Sequence, residues 1–270
     1  MSNPGKFAEN YEHLLVNNQD GALWVTLNRP ERLNALNRAL VLELQALFET
    51  LQRRQDVRVV VLRGAGRAFC AGLDLKERSA VGYPDVGSHL DGQRTVSQIV
   101  LAMRRCPQPI IALLNGTASG GGFALALAAD VRIGTPQARM NAAFIRIGLS
   151  ACDIGVSYFL PRMVGASVAA EYLLTGRFME AERARELGLF SCVVPEETLD
   201  DEGRGLARDM LRATPLGLRL TKEALGHAID AASLEAVVAM EDRNQVLCAR
   251  DANFAEGIAS FLQKREPIYH

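Results

Sequence analysis

Two glycine-rich joints hold the residues of this chain best suited to chemistry. In Asn115-Gly116-Thr117-Ala118-Ser119-Gly120-Gly121-Gly122-Phe123-Ala124, three consecutive glycines follow the apolar run Ile110–Leu114 and precede the strong helix former Phe123–Ala129. A strand that passes through glycines into a helix leaves free backbone N–H groups at the positive end of the helix dipole. Glycine admits unusual dihedrals and lets a ligand approach the main chain closely. Such a joint can hold an anion, or a carbonyl oxygen that becomes one during a reaction. The same residues can equally serve a strand–turn–helix joint packed tightly with no ligand at all. The second joint, Arg67-Ala68-Phe69-Cys70-Ala71-Gly72-Leu73-Asp74-Leu75-Lys76-Glu77, follows the apolar segment Val57–Leu62. By itself it reads as a turn leading into a short helix. Beside the first it becomes a second turn with N–H groups on offer, and two convergent N–H donors are what an oxyanion hole requires.

The elements that must position these joints alternate along the chain. Leu14–Val16 and Leu23–Leu27, separated by Asn17-Asn18-Gln19-Asp20-Gly21, read as a β-hairpin. Asn37 can cap a helix over about 38–53, with Leu40, Leu44, Leu47, Phe48 and Leu51 at helical spacing. A buried strand at Val57–Leu62, a helix around Val96–Met103, the strand ending at Leu114 and a further strand at Val131–Thr135 follow. Beyond Gly165 the pattern turns helical: Val168–Leu174, Glu180–Leu187, Asp201–Leu211, Leu216–Ile229, Leu234–Leu247 and about 252–264, interrupted by a candidate strand at Leu189–Val194. Strands alternating with helices, then a helical tail, predict an α/β core with a helical subdomain.

Bulk properties exclude several function classes. A chain of 270 residues, 49% hydrophobic and 23% charged, can bury a substantial core without staples. Its formal net charge of −1 gives no electrostatic case for nucleic acid or a membrane surface. Cys70, Cys106, Cys152, Cys192 and Cys248 form no Cys-x-x-Cys pair, which favours free thiols in a reducing cytoplasm. His13, His89, His227 and His270 are scattered, so no metal site is expected. Met1–Asn10 has no apolar core resembling a signal peptide, and no apolar run reaches the length of a membrane span.

The two joints together, Ala68-Phe-Cys-Ala-Gly-Leu-Asp-Leu-Lys76 and Asn115-Gly-Thr-Ala-Ser-Gly-Gly-Gly122, resemble the crotonase superfamily, also called enoyl-CoA hydratase/isomerase. Leu27-Asn-Arg-Pro-Glu-Arg-Leu-Asn-Ala-Leu36, Ala129-Asp-Val-Arg-Ile133, Leu173-Leu-Thr-Gly-Arg177, Ala181–Leu189 and Glu256–Pro267 fit the same pattern in order along nearly the whole chain. The resemblance implies an α/β fold, a spiral of ββα units over residues 1–200, with a C-terminal helical trimerisation region over 201–270. It implies a homotrimer or dimer of trimers. It also implies a soluble enzyme of fatty-acyl or acid catabolism, acting on acyl-CoA thioesters and stabilising an enolate at the thioester carbonyl. Coenzyme A would enter as part of the substrate, with no permanently bound cofactor. By position, the resemblance assigns the oxyanion donors to the N–H groups of Leu73 and Gly121. It lines the adenine pocket with the main chain of Ala71, Asp74 and Leu75. Arg32, Phe261 and Lys264 are its candidates for CoA phosphate and ribose contacts, and exposed basic residues on helices can equally be merely solvated.

The chain departs from the family where the reaction is chosen. The hydratases of the family carry a glutamate just after the glycine triplet and another four residues before the glycine of Ile145-Arg-Ile-Gly148. This chain has Ala124 and Phe144 there, and neither can exchange a proton. Water addition by two glutamates is therefore closed to it. Asp153, in Gly148-Leu-Ser-Ala-Cys-Asp-Ile-Gly-Val-Ser157, lies in the loop that carries a catalytic aspartate in some members, and Asp-Ile-Gly is similar to the Asp-Val-Gly of dienoyl-CoA isomerases after a one-residue shift. A carboxylate partly desolvated beside an acyl chain can shuttle protons between carbons. The alternative is that Asp153 caps a helix over Val156–Met163. Ser150, Ser157 and Tyr158 are polar alternatives, and Tyr83 and His89 lie in a segment that can border the acyl group. The expected activity is double-bond isomerisation or a related enolate step with Asp153 as acid/base. The competing expectations are an acyl-CoA-binding protein without catalysis, or weak water addition with Asp153 alone.

Overall fold

The structure, a computed structural model, describes residues 11–82 and 84–269. The expectations for Met1–Asn10 and Tyr83 lie outside the described residues. The chain opens with the hairpin β1 (Leu14–Gln19) and β2 (Ala22–Leu27), paired antiparallel from Leu14↔Leu27 to Gln19↔Ala22. Asp20 and Gly21 close it with φ of 50° and 92°, the left-handed geometry that matches strand twist in two-residue turns. Helix α1 (Arg38–Leu51) begins where the Asn37 side chain accepts from the Leu40 N–H at 2.9 Å, so the expected cap is present.

Three ββα turns follow. The first is β3 (Val59–Gly64), β4 (Ala68–Cys70) and the helices α2 (Leu75–Val81) and α3 (Val86–Arg105). The second is β5 (Ile110–Leu114), β6 (Thr117–Ser119) and α4 (Gly121–Ala128). The third is β7 (Val131–Gly134), β8 (Arg139–Asn141) and, after a 3-10 turn at Ala143–Ile147, α5 (Val156–Val164). Next come α6 (Ala166–Thr175), β9 (Met179–Glu180), α7 (Ala181–Glu186), β10 (Cys192–Val193), α8 (Leu199–Leu211), α9 (Pro215–Ala228), α10 (Leu234–Arg250) and α11 (Asn253–Gln263). The longer strands form one sheet in the order β1-β2-β3-β5-β7-β10, parallel from β2 onward. The short strands form a second sheet, β4-β6-β8-β9.

Alternation along the central strands separates two apolar layers. Val60, Leu62, Ile110, Ala112 and Leu114 face one way and join Leu40, Leu44, Leu47 and Phe48 of α1. Val59, Val61, Ile111 and Leu113 face the other way and meet Leu199 and Ala207 of α8. Helix α8 thus covers the sheet although it lies almost wholly beyond residue 200. Every residue of α4 is buried, so this helix runs through the interior instead of along a surface.

The helix expected around Val96–Met103 is longer than its apolar stripe suggests. Polar Asp91, Arg94 and two glycines hide its first half, which starts where Asp85 accepts from the Ser88 N–H at 2.9 Å. The strand expected at Leu189–Val194 shrinks to Cys192–Val193. The last three helices dock through few buried groups. Lys222 of α9 donates to the Gln108 carbonyl at 2.7 Å and pairs with Asp130 at 2.9 Å. Helix α10 has no buried residue, and Val246, Leu247, Phe254, Phe261 and Leu262 of α10 and α11 are exposed.

Candidate active site

The two glycine joints meet. Leu36 and Leu73 form an isolated parallel bridge in which the Leu36 N–H donates to the Gly72 carbonyl at 2.7 Å and the Asp74 N–H donates to the Leu36 carbonyl at 3.0 Å. In such a bridge the bonds go to the residues flanking Leu73, so its own N–H points to the opposite side. Gly121 is the first helical residue of α4, where the N–H has no partner within the helix. A methyl group on Gly72 would lie 2.7 Å from the Ser119 carbonyl oxygen and 3.3 Å from the Gly121 nitrogen. The Leu73 and Gly121 donors are therefore on adjoining backbones. Among the described residues neither N–H is taken by a protein acceptor.

Close packing and open donors turn out to be one arrangement. Gly122 presses on β4 so tightly that a Cβ there would sit 2.0 Å from the Cys70 carbonyl oxygen. Gly120 caps α4 with φ 51° and ψ −116°, a conformation open to glycine. At the far end of α4 the buried Arg132 guanidinium donates to the Ala129 carbonyl at 2.7 Å and the Ala126 carbonyl at 3.3 Å, closing the helix C-terminus. Burial pulls the Arg132 pKa down to about 10.

The Leu27–Leu36 segment is the clamp for Leu73, a role the sequence reading did not assign. Asn34, fully buried with φ 55°, accepts from the Arg29 N–H at 2.9 Å and donates to the carbonyls of Ala65 at 2.9 Å and Ala68 at 2.8 Å. Arg29 also donates to the Ala35 carbonyl and pairs with Asp74 at 3.1 Å. Burial alone would raise the Asp74 carboxyl, but the Glu77 amide and the Arg29 guanidinium outweigh it and hold the pKa below the usual carboxylate range. Arg29 and Asn34 stand inside the quoted Leu27–Leu36 motif, and the run of polar residues between apolar ones was the available signal.

The loop that bears Asp153 is strained, and it meets this joint at the next residue, Ile154. Ile154, a β-branched residue, has φ 49°, and Gly155 has φ 83°. The Ile154 side chain is turned onto the joint, its Cδ1 3.7 Å from where a Gly121 Cβ would stand. Asp153 Oδ1 accepts from Gln93 Nε2 of α3 at 2.7 Å. Gly155 holds the N-cap position of α5, the Asp153 carbonyl accepts from the Val156 N–H at 2.9 Å, and the Asp153 carboxylate reaches Gln93 of α3. Ala124 is fully buried, and Phe144, 4% exposed, lays its ring edge 3.4 Å from where a Gly120 Cβ would be. Both positions expected to face the reacting carbons are thus apolar and next to the joint.

The polar alternatives fall elsewhere. Tyr158 is bound to Asp230 on the outer surface, which also accepts from Arg162 at 2.9 Å. Ser157 and His89 are exposed, and the Ser150 hydroxyl accepts from the Cys152 N–H at 3.1 Å. Ala71, Asp74 and Leu75 flank Leu73, and Arg32 ends the 3-10 turn Pro30–Arg32 beside them, so these four share one edge of the joint. Phe261 and Lys264 close α11, Lys264 as its left-handed C-cap. Two residues past Lys264, Glu266 pairs at 3.0 Å with Arg212 at the end of α8, and Arg58 at the amino end of β3 donates to the neighbouring Leu211 carbonyl.

Comparison with known proteins fits this geometry. Residues 17–270 match the family model for enoyl-CoA hydratase/isomerase. The chain belongs to the enoyl-CoA hydratase/isomerase family. A Mycobacterium tuberculosis relative named a probable enoyl-CoA hydratase is 40% identical over 250 residues, 91% of this chain and 88% of that one. The Escherichia coli protein named 1,2-epoxyphenylacetyl-CoA isomerase is 36% identical over 261 residues, 96% of this chain and 98% of that one. A solved enoyl-CoA hydratase from Bacillus anthracis superposes with a TM-score of 0.90 at 32% identity, covering 96% of this chain and 99% of that one. The expected crotonase fold is therefore present, and members of this family act on CoA thioesters. Among the described residues no group of three or more potential ligands could hold a metal ion, and no helix is long and apolar enough to cross a membrane.

Proposed function

We propose that this chain forms an enolate at the carbonyl of an acyl-CoA thioester and moves a carbon–carbon double bond, as a step of fatty-acyl or acid catabolism. The observation that carries this reading is the meeting of the Leu73 and Gly121 N–H groups beside the loop that bears Asp153. The thioester oxygen accepts from both N–H groups. The Asp153 carboxylate takes a proton from Cα of a 3-enoyl thioester, and the C–H electron pair becomes the enolate. The same proton returns to Cγ as the double bond moves from Cβ–Cγ to Cα–Cβ, which regenerates the carboxylate. Each preorganised donor contributes about 3 to 4 kcal/mol to stabilising the oxyanion. Helix α4 adds its positive end at Gly121.

Ala124 and Phe144 support isomerisation over water addition, since they stand where the hydratases' glutamates would be. The relative named as an isomerase agrees with that choice. A second reading, weak water addition with Asp153 alone, is favoured by relatives with hydratase names, including the Escherichia coli 2,3-dehydroadipyl-CoA hydratase at 35% identity. Arg32, Ala71, Asp74 and Leu75 would hold the CoA moiety. Phe261 and Lys264, on the exposed C-terminal helix, would contact CoA phosphate and ribose within a homotrimer or dimer of trimers. The exposed apolar faces of α10 and α11 support such an assembly.

The test is Asp153→Asn assayed with trans-3-hexenoyl-CoA in heavy-oxygen water. Turnover should fall about 100-fold or more, the loss typical of a removed general acid/base, while the Kd for the ester changes less than about twofold. Unchanged turnover removes Asp153 from the mechanism, and heavy oxygen in the product decides for water addition.

A further inference from the structure

We propose that Gln93 is the positioning residue for Asp153, and that α3 is the rigid wall that aims the carboxylate at the reacting carbons. The inference rests on the reading of Asp153 as acid/base. Its basis is a hydrogen bond across 60 residues of chain, from Gln93 Nε2 to Asp153 Oδ1 at 2.7 Å. The contact is part-buried, and it joins a helix to a loop whose backbone is left-handed at Ile154 and Gly155.

The helix is fit to be a reference point. Gln93, Val96 and Val100 recur at spacings of three and four and so share one face of α3. Val96 packs against the main core, and Val100 Cγ1 lies 3.5 Å from where a Gly155 Cβ would stand. Ile99, Val100 and Met103 are buried, which fixes the helix axis against α1 and α4. One face of α3 therefore touches the Asp153–Gly155 loop at two points, by a polar contact at Gln93 and an apolar one at Val100. Within the loop the Val156 N–H donates to the Asp153 carbonyl at 2.9 Å.

A carboxylate that must lift a proton from one carbon and deliver it to another needs its torsion held between the two steps. A side-chain amide suits this role because it donates to the charged oxygen, stays neutral, and cannot compete for the proton. A misplacement of about 1 Å at a catalytic group can cost about 100-fold in rate.

The experiment compares Gln93→Met, Gln93→Glu and Asp153→Asn with the unaltered protein, using trans-3-hexenoyl-CoA in deuterium oxide. Gln93→Met keeps the length and loses the donor. It should lower kcat about 10- to 100-fold with KM changed less than about twofold. Without that donor to fix its torsion, the carboxylate should also exchange its proton with solvent between the two steps, so deuterium at Cγ of the product should rise relative to the unaltered protein. Gln93→Glu keeps length and polarity, which guards against loss of folding. Its activity relative to the unaltered protein should recover as pH falls and the introduced carboxyl regains a proton to donate. A purely structural Gln93 would change neither the label pattern nor the pH dependence of that ratio. Unaltered kcat and label pattern in Gln93→Met, with Asp153→Asn inactive, overturns the role of Gln93 alone. Full turnover in Asp153→Asn, or no reaction by the unaltered protein, overturns the reading beneath it.

Discussion

Gly72→Ala tests whether the two joints share one contact. Gly72 has φ 94°, and a methyl group there would stand 2.7 Å from the Ser119 carbonyl oxygen and 3.3 Å from the Gly121 nitrogen. Ordinary contact begins at 3.4 Å, so the two backbones must part by about 0.7 Å or the methyl must remain compressed. The left-handed backbone costs a residue with a Cβ about 1–2 kcal/mol, and an overlap of this size in a packed interior adds about 1–3 kcal/mol. Urea unfolding should therefore show a loss of about 2–5 kcal/mol. Gly188→Ala is the control, because Gly188 has φ 72° and nothing within 4 Å of a Cβ, so it carries the dihedral cost alone. The difference between the two variants isolates the contact. Parting the joints also separates the Leu73 and Gly121 donors, and a shift near 0.7 Å should lower kcat about 10- to 100-fold. Gly188→Ala should leave kcat within about twofold. Equal destabilisation by the two substitutions, with kcat unchanged in Gly72→Ala, would refute the shared contact and the oxyanion hole built on it.

Lys222→Met keeps the aliphatic stem of α9 but abandons the Gln108 carbonyl and Asp130. Arg104 still pairs with Asp130 at 2.8 Å, so the loss should be nearer about 2 kcal/mol than the 3–5 kcal/mol of a fully broken buried pair; a change under about 0.5 kcal/mol in urea unfolding would show that α9 is held by other contacts. Asp74→Asn tests the clamp by pH. The Asp74 carboxyl sits below its ordinary pKa in the folded protein, so its contribution is present above the unfolded pKa and lost as pH falls through the folded value. The stability gap between the unaltered protein and Asp74→Asn should be full at neutral pH and close below the usual carboxylate range; a constant gap across that range contradicts the charge-based clamp.

The parts of this site that the sequence exposed are those where a residue type has few other uses. Three consecutive glycines before an apolar helix have few physical reasons to exist, and the structure supplies two at once: the approach of α4 to β4 and the open N–H at Gly121. The Asn37 cap and the hairpin turn were legible because each is local, a matter of a few residues and their own dihedrals. The second sheet was not legible. Its strands β4, β6 and β8 have three residues each, too few to carry an alternating pattern, and they are held by their neighbours in space.

The same distinction explains Asp153. The helix-cap expectation used local chemistry, an acidic residue shortly before a helix, and nothing local foretells the left-handed turn at Ile154 or the bond to α3. Such strain persists when surrounding contacts over-determine it. Two contacts do so here, Ile154 against Gly121 and Gln93 against Asp153, and both cross from one ββα turn to another. A side chain positioned by long-range contacts leaves only its identity in the sequence. Its partner Gln93 reads as one more polar residue on a half-exposed helix until the fold closes the distance.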